Sequence, residues 1–332
     1  AISDIPRRLW HGTVDHLDVP LFMITVAIMC VGLATVFSAT YDSNNRLIGQ
    51  LINMTFAFAL MWGVAQLPPQ KLMRFAVPLY LLGMVLLVLV FLFGVKVNGA
   101  RRWLNIGITR IQPSEIMKIA MPLMLAWYFH KYEAALKIRH YAIAALLLIV
   151  PFGLVAKQPD LGTAILIGAA GFYVLFLAGL QWKIIFGLMA AGAAAAPLLW
   201  TVLHDYQKKR ILTLIDPTSD PLGSGYHIIQ ATIAIGSGGP TGKGWLQGTQ
   251  THLEFIPEKH TDFIFAVFSE EWGLVGNTVL LILYLLLIGR GLMITANAST
   301  LFSRLLAGSI TLSLFTYAFV NMGMVSGIMP VV

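Results

Sequence analysis

Apolar residues run along this chain in long blocks, with polar residues confined to the joints between them. The blocks lie near residues 20–40, 48–67, 76–94, 115–130, 141–157, 163–180, 183–203, 263–289 and 305–329. Most approach the roughly 20 residues that an α-helix needs to cross a bilayer. Inside lipid the backbone must satisfy its own hydrogen bonds, so the blocks predict helices. A barrel would show short alternating segments instead. The pattern is interrupted by one long polar, glycine-rich stretch, 204–262, which ends in His260-Thr261-Asp262-Phe263-Ile264-Phe265. There a carboxylate sits where a wet loop meets a membrane helix, a costly position for an ionisable group without a task. The expected architecture is an all-α polytopic membrane protein, one membrane domain over 1–332 with a large extracytoplasmic loop.

Smaller elements follow from the same reading. Segment 95–114 mixes Arg, Trp and Ile and is expected to lie along the outer interface with Trp103 at head-group level. A short amphipathic helix is expected over about 224–235, after the turn signals Asp216-Pro217 and Asp220-Pro221. Residues 236–250 are expected to be irregular and mobile. No internal repeat stands out, which gives a transporter-type inverted repeat no support.

Composition narrows the class. Hydrophobic residues make up 58% of the 332 and charged residues 11%, where soluble domains carry roughly 25% charged. With the N-terminus in the cytoplasm, the inside joints hold Arg7, Arg8, Lys71, Arg74, Lys131, Lys137, Arg139, Lys183, Arg290 and Arg304. The short outside joints hold only Arg46 and Lys157, which is the positive-inside pattern. Arg7 and Arg8 precede the first block without a small-residue cleavage site, so that block reads as an uncleaved anchor. Cys30 is the one cysteine, so no disulfide forms within the chain. The net charge of +7 is dispersed among the blocks. No basic stripe speaks for nucleic acid, and membrane lipids with anionic head groups are the expected partners.

The candidate chemistry has bland and functional readings side by side. Gly236 to Gly244 looks like a phosphate loop but fails on spacing, with Ser237 where Gly is needed and Gly244 where Ser or Thr is needed. Glu115 and Lys118 share a helix face behind Pro113. They either neutralise each other or line a cavity where Lys118 meets a phosphate as a point charge. Arg101, Arg102 and Arg110 precede them and either snorkel to lipid phosphate or grip pyrophosphate. Asp160 and Thr163 follow a tight joint; Asp160 either caps the next helix or also holds a cation or a sugar hydroxyl. Thr261 or Asp262 could be only an N-cap. Glu270 and Glu271 sit two turns into the eighth block, so at least one is expected to face a cavity or a cation. His252 and His260 lack a cysteine partner and ligand spacing for zinc. A Mg²⁺ or Mn²⁺ held between carboxylate and pyrophosphate is chemically reasonable, and no organic cofactor is expected.

Four motifs then carry a resemblance. They are Asn98-Gly99-Ala100-Arg101-Arg102-Trp103, Gln112-Pro113-Ser114-Glu115 with Lys118, Gln158-Pro159-Asp160-Leu161-Gly162-Thr163, and His260-Thr261-Asp262-Phe263-Ile264-Phe265 with Glu270-Glu271-Trp272-Gly273. Together they resemble the SEDS family, the shape, elongation, division and sporulation proteins. The stretch from Gly248 to Glu258 looks closer to the elongation member than to the division member. The resemblance implies about ten transmembrane helices, of which nine are visible here, with the last helix and its Pro-Leu-Pro…Ser-Tyr-Gly-Gly-Ser motif missing from this chain. It implies a peptidoglycan glycosyltransferase in the bacterial inner membrane, polymerising lipid II on the outer face with Asp262 as the essential residue. It also implies a class B penicillin-binding protein as partner. The set expected around the substrate is Arg101, Arg102, Arg110, Gln112, Glu115, Lys118, Asp160, Thr163, His260, Thr261, Glu270 and Glu271. The competing expectations are a lipid II flippase, which needs no catalytic base, and the division paralogue.

Overall fold

The computed structural model describes residues 10–12, 14–97, 100–107, 109–158, 160–256 and 258–329. Arg7, Arg8, Asn98, Gly99, Pro159 and residues 330–332, on which the sequence reading drew, lie outside them. Each apolar block becomes a helix. The first seven are α1 (Val19–Ala39), α2 (Asn44–Ala65), α3 (Pro69–Phe93), α4 (Pro113–Lys131), α5 (Ile138–Ala156), α6 (Leu161–Leu177) and α7 (Trp182–Val202). The large loop carries α8 (Asp205–Ile215), α9 (Ser224–Gly238) and the single turn α10 (Thr249–His252), and then α11 (Ile264–Ala296) and α12 (Leu301–Val325) close the order. Among the described residues seven helices, α1, α2, α3, α5, α7, α11 and α12, are long and apolar enough to cross a membrane. The chain is a multi-pass membrane protein.

The reason two helices miss that standard is physical. α6 is apolar but has only 17 residues. α4 carries Glu115, Lys118 and Lys131, yet it is the most enclosed helix, with Met117, Met121, Leu125 and Phe129 fully buried. Protein rather than lipid surrounds α4, so it need not be apolar all round. α2 shows the converse, because it buries none of its residues and is still strongly apolar. Such a helix needs lipid against its sides.

Segment 95–114 holds structure that the sequence reading did not foresee. It forms a small antiparallel sheet in the order β1 (Val95–Val97), β2 (Ala100–Asn105), β3 (Arg110–Ile111). Lys96 pairs with Arg101 and Asn105 with Arg110. Val95 and Val97 flank an exposed Lys96, a two-residue alternation that an interfacial reading overlooked.

The chain divides into two compact units, each with its own core. The first takes the residues up to Leu67, Ala196–Arg290 and the chain from Ala318. Its core joins Ala39, Ala231, Ala234, Ile256, Phe263, Val267 and Met324. The second takes Pro68–Ala195 and Gly291–Tyr317. Its core centres on Leu87, Met121, Phe129, Ile167, Phe302 and Leu305. Buried hydroxyls there find carbonyls: Tyr80 Oη donates to Leu147 O at 2.8 Å and Ser309 Oγ to Ala170 O at 2.9 Å.

Two corrections bear on the site. Arg290 lies inside α11, not in a joint, because the helix runs on to Ala296. It donates to Asp18, Nε to Oδ1 at 2.9 Å and Nη2 to Oδ2 at 2.7 Å. And α11 is broken at Gly273, whose φ of 63° and ψ of −155° are not helical. A break in a span frees carbonyls that lipid does not satisfy. The glycine-rich loop supplies the donors: Lys243 N bonds Glu270 O at 3.0 Å and Gly244 N bonds Glu271 O at 2.9 Å. In return Leu274 N bonds Gly239 O at 2.9 Å and Val275 N bonds Pro240 O at 3.0 Å. Of residues 236–250, expected to be irregular throughout, 236–238 end α9 and 249–250 begin α10; the irregular part between them is strapped to α11.

Candidate active site

Asp262 sits at the end of a tight turn. Thr261 N and Phe263 N both bond Glu258 O, at 3.1 and 3.2 Å. Glu258 itself takes a left-handed φ of 46°, which bends the chain. Phe263 is driven into the core of the first unit. Its neighbour Asp262 is left exposed, and among the described residues its carboxylate has no hydrogen-bond or ion-pair partner. The backbone is held instead: Asn321 Nδ2 donates to Asp262 O at 3.1 Å. Helix α11 begins at Ile264. Neither Asp262 nor Thr261 caps it through its side chain. Thr261 Oγ1 lies 3.2 Å from Glu258 Oε2. His260 meets Arg46, whose Nη1 lies 2.7 Å from Nδ1 and 2.8 Å from Nε2.

Glu270 and Glu271 are both fully buried. Glu270 Oε1 accepts from Lys243 Nζ at 2.9 Å, Gln250 N at 2.8 Å and Thr249 Oγ1 at 3.3 Å. Its Oε2 accepts from Thr251 N at 3.3 Å and Thr251 Oγ1 at 3.0 Å. All of these donors come from the chain itself. Glu271 accepts from Ser38 Oγ of α1 through Oε1.

The remaining candidates belong to the second unit. Asp160 is buried and caps α6, accepting from Thr163 N at 3.3 Å. Its other oxygen accepts from Gln112 Nε2 at 3.1 Å, and Arg102 Nη1 stands 4.0 Å from Oδ1. Lys118 Nζ lies 2.6 Å from Glu115 Oε2 and 5.6 Å from the centre of the Tyr317 ring. Both the capping and the ion-pair readings of these residues are therefore realised, and a cationic edge remains. Arg101 and Arg110, side by side with the sheet's backbone pairs, are exposed and carry no side-chain partner among the described residues. Sequence reasoning missed Lys243, Asn321 and Arg46 as supports. Lys243 was weighed only against a phosphate loop, and nothing in one sequence ties residue 321 to residue 262.

Among the described residues no three His, Cys, Asp or Glu side chains gather into a preformed metal cage. A divalent cation such as Mg²⁺ does not require one. It is commonly held by one or two carboxylates plus substrate phosphates, and the exposed, unpartnered Asp262 suits that mode.

The chain is similar to known proteins along nearly its whole length. A family model described as cell cycle protein, FTSW_RODA_SPOVE, matches residues 11–332. The peptidoglycan glycosyltransferase MrdB of Escherichia coli K12 is 48% identical over 332 residues, 100% of this chain and 90% of that protein. A probable peptidoglycan glycosyltransferase FtsW of Geobacter metallireducens is 34% identical, over 96% of this chain and 87% of that one. Among solved structures, a chain from work on a peptidoglycan synthase complex that coordinates polymerization and crosslinking superposes with a TM-score of 0.80 at 34% identity, covering 95% of this chain and 88% of that one. The rod shape determining protein RodA of Thermus thermophilus gives a TM-score of 0.68 at 29% identity, covering 92% of this chain and 84% of that one.

Proposed function

The chain belongs to the SEDS family of FtsW, RodA and SpoVE proteins, and from that premise we propose that it polymerises lipid II with Asp262 as the base. It is a peptidoglycan glycosyltransferase. The observation that carries the assignment of the base is the exposed carboxylate of Asp262, without a partner among the described residues while its own carbonyl and the amides on either side of it are held.

The reaction needs little else. The acceptor is the 4-hydroxyl of a GlcNAc sugar, a weak nucleophile. As its oxygen forms a bond to the donor's anomeric carbon, the bond from that carbon to the pyrophosphate oxygen breaks. The electron pair leaves with the lipid pyrophosphate, and the hydroxyl proton passes to Asp262. General-base help of this kind contributes about 10²–10⁴-fold. Attack opposite the leaving group turns an α-linked donor into a β-linkage. Pyrophosphate needs charge stabilisation rather than a general acid. Arg102 and Lys118 are the side chains proposed for that work. A bound Mg²⁺ or Mn²⁺ would neutralise the same charge.

The elongation-type reading is supported by 48% identity to MrdB against 34% to the FtsW protein. A class B penicillin-binding protein, supplying crosslinking, is the proposed partner, in line with the peptidoglycan synthase complex. The active site is proposed to face the outside of the cytoplasmic membrane, where the lipid II head group is used.

The test is polymerisation of labelled lipid II by the purified protein with its partner, with moenomycin present to silence contaminating enzymes. Wild type is expected to make long glycan strands and Asp262→Ala none, at unchanged folding. Near wild-type strands from Asp262→Ala would sink the assignment.

A further inference from the structure

The geometry points to Glu270 as a positioning residue for Asp262, acting through a chain of contacts rather than on substrate. This rests on the reading of Asp262 as the base. All five groups around the Glu270 carboxylate are donors: the Lys243 ammonium, the amides of Gln250 and Thr251, and the hydroxyls of Thr249 and Thr251. They belong to the glycine-rich strap and to α10. One buried carboxylate therefore gathers two pieces of the loop onto the first half of α11.

The gathering reaches Asp262 in two further steps. Thr251 O, at the centre of α10, accepts from Lys259 Nζ at 3.0 Å. Lys259 lies inside the turn that Glu258 O closes through Thr261 N and Phe263 N. From the other side, Phe255 N bonds Gln250 O at 3.0 Å and sets the return of the chain from α10. Phe263 then anchors the turn in the core. Among the described residues the Asp262 side chain has no bonding partner, so its orientation is inherited from this backbone. Glu270 is the buried group on which the inherited geometry converges.

A carboxylate is the side chain this nest requires. Both its oxygens accept, whereas a glutamine must turn an NH₂ toward donors. Asparagine or glutamine there leaves Lys243 without its counter-charge as well. A misplacement of a reacting group by about 1 Å from such a remote change can cost about 10²-fold in rate.

The experiment pairs hydrogen exchange with kinetics on the full chain, in wild type, Glu270→Gln and Lys243→Met. Lys243→Met keeps the carboxylate and serves if Glu270→Gln does not fold. Faster amide exchange is expected over 249–263, with α3 to α6 unchanged. The kcat for lipid II polymerisation is expected to fall about 10²-fold while KM stays within about twofold. A slow variant with wild-type exchange over 249–263 would mean that Glu270 acts elsewhere and would overturn the proposal. So would faster exchange with an unchanged kcat, since the latch would then not serve Asp262. If wild type makes no strands, the glycosyltransferase base and its positioning fall together. The exchange data then still decide whether Glu270 holds the loop.

Discussion

Single side chains divide the labour at this site. Among the described residues the Asp262 carboxylate has no partner while the Glu270 carboxylate is saturated with them, and on the proposed reading the contrast separates reacting from holding. Asp262→Asn tests it directly. The amide keeps size and polarity but accepts no proton, so strand synthesis is expected to fall at least about 10²-fold. Lipid II binding, followed by co-purification or fluorescence, is expected to remain. Equal losses of binding and synthesis would turn Asp262 into a ligand-binding group instead. Asp262 was legible in the sequence because a carboxylate at a loop–span junction is conspicuous. Glu270 was legible only as an oddity. Its five donors lie 19 to 27 positions away along the chain, and helical or strand periodicity does not report such a nest.

Elements explain why the loop carries so many glycines. Gly273 adopts a backbone conformation open essentially to glycine alone, and a Cβ there would run into Gly242 N and Gly239 O. Gly242 returns the contact, for a Cβ on it would overlap the Glu271 and Trp272 backbone. Gly273→Ala is therefore expected to destabilise by at least about 1–3 kcal/mol. Gly236, inside α9, is different: a Cβ on it would meet nothing within 4 Å. Gly236→Ala is expected to be neutral or to stabilise by up to about 1 kcal/mol. Thermal unfolding in detergent compares the two, and equal midpoints would refute the strap. The spans themselves were visible, with ends off by at most seven residues, because lipid demands a long apolar run whatever the partners. The break at Gly273 and the three short strands were not, since each depends on backbone bonds between distant segments.

For the molecule as a whole, hydropathy delivered the class and the order of helices, and the four motifs delivered the family. It foresaw Glu270 and Glu271 inside a helix but put some other helical charges in joints. Arg290, expected in a joint, reaches back to the cap of α1. Its hydrogen bonds hold the Asp18 carboxyl below the usual aspartate value. The folded value is the depressed one, so this contribution is complete above the ordinary pKa and fades as pH falls through the folded value. Asp18→Asn keeps a capping side chain but loses the ion pair. Its melting midpoint is expected to lie below wild type at neutral pH and to converge with it in strong acid, below about pH 4. Midpoints that stay parallel across that range would remove the ion pair from the account. The broken helix has a consequence for biogenesis too. The 33-residue stretch of α11 exceeds the roughly 20 residues that a translocon needs to recognise a span. The part beyond Gly273 satisfies that requirement alone. Insertion machinery is therefore expected to be able to release the span into the bilayer with the segment before the break still uncommitted, leaving the strap, synthesised earlier, to close over it afterwards.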